Sequence, residues 1–309
     1  MKEKKKIPLI IDCDPGVDDT LALFLAKNLD CFKIQAITTV SGNLSIEVTT
    51  ENVQLVAGYL GLSCVVAKGA KEPLMKEKVT AAHIHGEDGL GGARKYFPKE
   101  KALPLAEEGA LLVMRRLLLE AKEKVSILAL GPLTNIALLL KAFPEVKEHI
   151  GLISIMGGGL FGGNVTPLSE FNFYVDPEAA QIVLQSGVPL LLSGIHMTEK
   201  AFLKSEDLQR VQESTGPYAK IGNALLKDFA QGQKAIHDPC AVLALARPDL
   251  FTWQEMALTV DPREGVSQGM LVPMREKNPT CKVMMDLQVD TFRELLTEAM
   301  MGNASSEVL

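Results

Sequence analysis

Residues 7–19 read IPLIIDCDPGVDD, and the reading of this stretch decides the fold. Residues 7–12 form a short apolar run of the kind found in buried strands. Pro15 and Gly16 force a turn. A helical pattern, DDTLALFLAKN, follows from Asp18. Strand, tight turn and helix in succession open a parallel α/β sheet. The turn also carries four aspartates: Asp12, Asp14, Asp18 and Asp19. A helix N-terminus favours one or two acidic residues, which leaves the others without a reason. Four like charges in one turn imply a cation among them. With oxygen ligands only, that cation is Ca²⁺ or Mg²⁺ rather than zinc. The turn is not an EF-hand, because Gly16 falls at the fifth position of such a loop and Leu23 at the twelfth. No GxxxxGK[ST] phosphate loop occurs.

Outward from this stretch the alternation continues. Strands are expected at 7–12, 33–40, 64–67, 125–130, 150–156 and 188–193. Helices are expected at about 18–29, 45–60, 105–122, 133–142 and 176–186. The pattern predicts an α/β fold with a mainly parallel central sheet flanked by helices. Its site lies at the carboxyl ends of the strands, where such sheets bind ligands. The later part is more helical, around 205–214, 217–232 and 237–246, with strand-like runs at 257–260 and 281–289. No repeat or linker interrupts the chain. Residues 1–309 therefore read as one large domain, with a basic tail at 1–6 and a frayed end at 302–309. Residues 81–104, rich in Gly, Pro and charge, form a loop long enough to be functional.

Composition excludes several classes. Net charge is −6 and the sequence pI is about 5.5, with no basic stripe, which argues against nucleic-acid binding. No apolar stretch is long enough to span a membrane. Five cysteines, an odd number without a CxxC pair, read as reduced thiols of a cytoplasmic protein.

Polar residues recur at the other strand ends. Asn43 follows the second strand. Gly131 and Pro132 bend the chain after strand 125–130, which would expose a backbone carbonyl such as that of Leu130, and carbonyls are ordinary Ca²⁺ ligands. After Met156, three glycines allow close backbone approach to a ligand. Asn164, Glu170 and Asn172 follow in one irregular loop, and together they suit a polyhydroxylated molecule such as a sugar. Asp176 reads as the N-cap of a helix with Pro177 at its first position. His237 and Asp238 precede Pro239 at another helix start. They read either as a surface histidine and an N-cap, or as a proton donor and a metal ligand. His83 and His85 sit in the long loop, where at least one suits a substrate contact or proton relay.

Taken together, DCDPGVDD, HIHGEDG, GPLTN, MGGG, EFN, DPEAA and HDPCAV resemble, in this order, the inosine–uridine-preferring nucleoside hydrolases. The resemblance spans residues 7 to 290, and its specificity lies in the combination. It implies Ca²⁺-dependent hydrolysis of the N-glycosidic bond of ribonucleosides to ribose and free base, by a homodimer or homotetramer. It also implies the residue roles. Asp14, Asp19 and Asp238 would hold Ca²⁺ with the Leu130 carbonyl, and Asp14 would act as general base on a metal-bound water. Asp18, Asn43 and Asn172 would hold the ribose hydroxyls. Asn164 and Glu170 would reach the 5′-hydroxyl, and Met156 would pack near the sugar. His237 would protonate the leaving base, while Ile84 and His85 would line the base pocket.

Two positions depart from the family pattern. His196 stands where an aspartate is more usual, outside the expected metal shell. Leu130 replaces a more polar residue, although only its carbonyl is needed. Retention of His85 and His237 leans toward the broad purine-and-pyrimidine type, and residues 217–235 are expected to close over the base. Two other readings compete. A haloacid-dehalogenase-like phosphatase would share the Asp-x-Asp pair, but Gly16 and the lack of a later Asp-Asp pair oppose it. A catalytically silent nucleoside- or sugar-binding protein would keep the same residues without turnover.

Overall fold

The computed structural model describes residues 5–229, 234–275 and 278–303. Its strands are β1 (Ile7–Cys13), β2 (Phe32–Thr39), β3 (Val65–Lys68), β4 (Val125–Ala129), β5 (Ile150–Met156), β6 (Leu190–Ser193), β7 (Phe251–Met256), β8 (Leu258–Val260), β9 (Leu271–Pro273) and β10 (Cys281–Leu287). The helices are α1 (Val17–Asn28), α2 (Ile46–Tyr59), α3 (Ala82–His85), α4 (Ala110–Glu120), α5 (Thr134–Ala142), α6 (Phe171–Val175), α7 (Pro177–Leu184), α8 (Ile195–Thr198), α9 (Ser205–Glu213), α10 (Ala219–Leu226), α11 (Asp238–Ala246) and α12 (Val289–Met301).

Eight strands form one sheet in the order β3-β2-β1-β4-β5-β6-β10-β7. All neighbours are parallel except β10 and β7. Alternate residues of β1 feed opposite faces, as the pleat requires. Leu9, Ile11 and Cys13 join one apolar core, while Ile10 joins the other. The first core packs residues of α1, α11 and α12, and the second those of α4, α5 and α7. Helix α11 is apolar on all sides and correspondingly buried.

Register positions the site. Asp12 of β1 lies opposite Thr38 of β2 and Ala129 of β4. Asp14, the turn after β2 and Leu130 therefore emerge at one level of the carboxyl edge. Met156 and Ser193 close β5 and β6 at matched positions of the same edge.

Some elements differ from the sequence expectation. Helix α4 is shorter than 105–122, and β8 pairs with β9 in a separate hairpin. The antiparallel edge strand β7 escaped notice because its pattern is mixed and partly exposed. Helix α12 also escaped, since it follows β10 with no Gly or Pro between them. Gly302, with φ of +78°, closes α12 in the left-handed conformation that glycine tolerates. The expected frayed end otherwise falls on residues 304–309, outside the described residues, as do 1–4 of the basic tail. Lys5 and Lys6 pair with Glu123 and Asp30. The five cysteines are unpaired thiols. Among the described residues, no helix is long and apolar enough to cross a membrane.

Candidate active site

The turn between β1 and α1 is built by its own carboxylates. Asp19 accepts hydrogen bonds from the backbone N–H groups of Asp14 (3.2 Å) and Gly16 (3.0 Å), which closes the start of α1. Asn43 arrives from the end of β2. Its backbone N–H donates to Asp14 Oδ2 at 2.6 Å, and its amide donates to Asp14 O and Asp19 Oδ2, both at 3.2 Å. Asp18 reaches across to α11, where its Oδ2 accepts the His237 N–H at 2.8 Å. Asp12 stands apart from the other three. Thr38 Oγ1 and Asn135 Nδ2 both donate to its Oδ1, and Asn135 also donates to the Thr39 carbonyl. Adjacency in sequence grouped four aspartates, whereas neutral donors hold the first.

The remaining carboxylates are short of positive charge. Burial, then Asp19, raises the Asp14 pKa well above the ordinary carboxylate range. Burial, then the charges of Asp19, Asp18 and Asp14, does the same to Asp238. Burial pushes Asp18 up to about 7. Asp14 Oδ1 and Asp18 Oδ1 are buried and have no hydrogen-bond partner among the described residues. Such orphaned oxygens are costly without a counter-charge. The backbone crowds around Asp14: a Cβ on Gly42 or Gly131 would stand 2.1 or 2.5 Å from its carboxylate oxygens. Among the described residues no three His, Cys, Asp or Glu side chains form a ready-made metal cage. The donor set fits a hard cation instead as an open site, completed by a backbone carbonyl and by ligand oxygens.

Above this floor lies a cavity of about 410 Å³. It is lined by Asp18, Asn43, Ile84, His85, Leu130, Met156, Asn164, Glu170, Asn172, His237 and Asp238, with Asp14 and Asp19 fully buried. Asn172 Nδ2 donates to the carbonyls of Leu130 (2.7 Å) and Met156 (3.1 Å), joining the ends of β4 and β5. Glu170 caps α6. It accepts the N–H groups of Asn172 (2.9 Å), Phe173 (3.3 Å) and Gly158 (2.8 Å). Burial pushes Glu170 up to about 7 despite these donors. Asn164 is exposed and accepts the Phe171 N–H at 2.9 Å.

Two histidines border the aspartate turn and line the same cavity. His85 Nδ1 accepts the Val17 N–H at 3.3 Å. A Cβ on Gly16 would stand 2.6 Å from that nitrogen, so the glycine is what lets the ring approach. His237 Nδ1 lies 2.7 Å from Thr198 Oγ1. Burial pushes both histidines down to about 4. Ile84 is 64% exposed at the rim.

The sequence reading missed several lining residues. Leu225, Phe229 and Lys234 come from the segment expected to close over the site, whose residues 230–233 lie outside the described residues. Lys234 is the one lysine or arginine among the described lining residues. Nothing in its sequence context, a lysine in an aperiodic loop, signals this position. His196 does not line the cavity. Its Nδ1 accepts the Leu160 N–H (3.3 Å) and its Nε2 faces the Met284 carbonyl (3.1 Å), which pins the glycine loop to β10. Asp176 is the expected N-cap, accepting the Ala179 N–H, and also receives Thr134 Oγ1 and the Leu74 N–H.

Comparison with known proteins agrees with this geometry. The family described as inosine-uridine preferring nucleoside hydrolase matches residues 9–294. A pyrimidine-specific ribonucleoside hydrolase, RihA, of Citrobacter koseri is 38% identical, covering 97% of this chain and 99% of its own. A plant nucleoside hydrolase superposes with a TM-score of 0.88 at 28% identity, over 96% of this chain and 99% of that one. A purine-preferring ribonucleoside hydrolase of Gardnerella vaginalis gives 0.87 at 29%, with the same coverage.

Proposed function

Because this chain belongs to the inosine-uridine preferring nucleoside hydrolase family, we propose that it is a Ca²⁺-dependent hydrolase of ribonucleosides, acting first on those of pyrimidines. The observation that carries the reading is the pair of unpartnered oxygens, Asp14 Oδ1 and Asp18 Oδ1, beside a cavity that His85, His237 and Lys234 also line. Pyrimidine preference is supported by the identity of 38% to the relative so described, against 29% to the purine-preferring one. It narrows the broad type expected from the retained histidines. Family membership is the support for a homodimer or homotetramer, a single domain and a cytoplasmic location.

Asp14, Asp19 and Asp238 would hold Ca²⁺ with the Leu130 carbonyl. When bound, the ion supplies a positive charge that offsets their repulsion and a water of lowered pKa. Asp18, Asn43 and Asn172 take the ribose hydroxyls at this end, and Asn164 and Glu170 lie toward the 5′-hydroxyl. Asp14 accepts the proton of the attacking water, whose oxygen bonds to C1′. The C1′–N bond breaks and its electron pair leaves with the base. The sugar passes through a cation-like transition state, which the carboxylate and amide lining favours.

The base end carries the opposite charge logic. We assign Thr198 Oγ1–H as the donor to His237 Nδ1, 2.7 Å away, which places the hydrogen of His237 on Nε2 for the base. Burial holds its imidazole below the ordinary histidine range, which favours a neutral ring that first acts as a hydrogen-bond donor, as neutral histidines can. Transfer of the proton follows as negative charge builds on the base. Lys234 adds the positive charge that favours that build-up.

Ribose release from uridine, cytidine and inosine tests the reading. We expect release that ranks uridine and cytidine above inosine, falls after prolonged chelation and returns with Ca²⁺. No release by folded, Ca²⁺-supplied protein would leave a binding protein as the better reading. Chelation also has a stability readout. A ligand at a hundredfold its Kd stabilises by about 2.7 kcal/mol. At about 2.1 cal/mol/K per residue, that is roughly 4 °C in Tm for this chain. Scanning calorimetry with and without Ca²⁺ measures it, and coincident melts would remove the metal from the reading.

A further inference from the structure

A second cavity, of about 310 Å³, lies between the long loop and α10. Three lysines line it: Lys95 from the turn Arg94–Tyr96, Lys220 from α10, and Lys227 from the turn after α10. Lys95 Nζ and Lys220 Nζ both approach the Tyr96 ring, at 5.2 and 5.3 Å from its centroid. Lys227 Nζ lies 3.7 Å from where a Cβ on Gly92 would stand. Among the described residues, none of the three has a carboxylate within ion-pair distance, although neighbouring Arg94 pairs with Glu51. Asp88, close by on the loop, is already engaged by the N–H groups of Leu90 and Gly92.

Unlike the buried carboxylates of the first site, these three lysines are exposed to solvent, and what sets them apart is that they gather in one pocket. The chain carries a net charge of −6, yet three lysines line one pocket with no acid among its described lining residues. One aromatic face attracts a cation but does not neutralise two. We propose that this pocket binds a phosphate-bearing anion, with Lys95, Lys220 and Lys227 as its cationic ligands and Tyr96 as its wall. Lysine serves phosphate as a point charge and needs no fixed geometry. The volume admits inorganic phosphate and leaves room for a phosphomonoester.

The position gives the site a consequence. The loop that carries Lys95 also supplies His83 and His85 to the catalytic cavity. The segment that carries Lys220 and Lys227 supplies Leu225 and Phe229. An anion bridging these lysines clamps together two walls of the nucleoside pocket. Anion and nucleoside then strengthen each other's binding reciprocally.

Calorimetric titration of the full chain tests this at fixed ionic strength, with inorganic phosphate and, separately, uridine 5′-monophosphate. We expect saturable one-site binding that weakens at least about tenfold in Lys95→Ala/Lys220→Ala, with Tm and phosphate-free ribose release unchanged. Binding of the monophosphate alone, lost in the double variant, identifies a phosphomonoester as the ligand. No saturable binding of either probe overturns the site. So does binding that survives the double substitution, because the ligand then sits elsewhere, as in the catalytic cavity. Saturating ligand should also lower KM for uridine about fivefold, and an indifferent KM overturns the clamp. The binding readout needs no turnover, so its failure is distinct from failure of the catalytic reading.

Discussion

Asp14→Asn lowers ribose release from uridine by roughly 10²- to 10⁴-fold, the range expected when a general base is removed, and the protein no longer gains stability from Ca²⁺. The expectation follows from the two oxygens of this carboxylate. Oδ2 is occupied by the Asn43 N–H at 2.6 Å, while Oδ1 is buried without a partner. Oδ1, with no partner among the described residues, is the oxygen most open to a cation and a water. Asparagine keeps the volume, which matters because Gly42 and Gly131 leave no room for anything larger. It also removes a charge that burial and Asp19 already disfavour in the metal-free protein. The metal-free variant should therefore melt no lower than the metal-free parent, which separates lost chemistry from lost folding. Stopped-assay kinetics with calorimetric Ca²⁺ titration measures both. Near-normal turnover would sink the base and metal assignments together.

His237→Ala should slow uridine and inosine by about 10²- to 10⁴-fold, while a riboside with an activated leaving group such as p-nitrophenol slows little. A good leaving group departs without help, so the imidazole matters only where negative charge builds on a poor one. Thr198 orients the ring through its 2.7 Å contact with Nδ1, and the backbone N–H of His237 anchors to Asp18. The substitution removes a side chain and leaves that backbone contact in place. Equal slowing of natural and activated substrates would show that His237 shapes the pocket without aiding departure.

Much of this site is readable without coordinates because it rests on backbone punctuation. Pro15-Gly16, Gly131-Pro132 and Gly157–Gly159 each mark a strand end that must turn sharply, and polar residues beside them cannot be there for the core. Asp176 was read as a cap and is one. Lys234, Leu225 and Phe229 were not legible as lining residues, since which side chains of a segment face a cavity depends on what that segment packs against. Asp12 was misgrouped for the same reason. Thr38 and Asn135, which hold it, come from elements 26 and 123 residues away.

The sequence by itself determined the strand–turn–helix alternation, the parallel sheet and the carboxylate excess at its edge, because periodicity, turn chemistry and charge are local properties. Only the tertiary structure decided which carboxylates meet. Strand register brings Asp14, Asn43 and Leu130 to one level, and α11 carries Asp238 to them from the far end of the chain. It also decided where buried charge goes unanswered, at Asp14 and Asp18, and where three exposed lysines gather in one pocket. Burial and proximity depend on packing between distant segments, and those are the quantities that set electrostatic free energy.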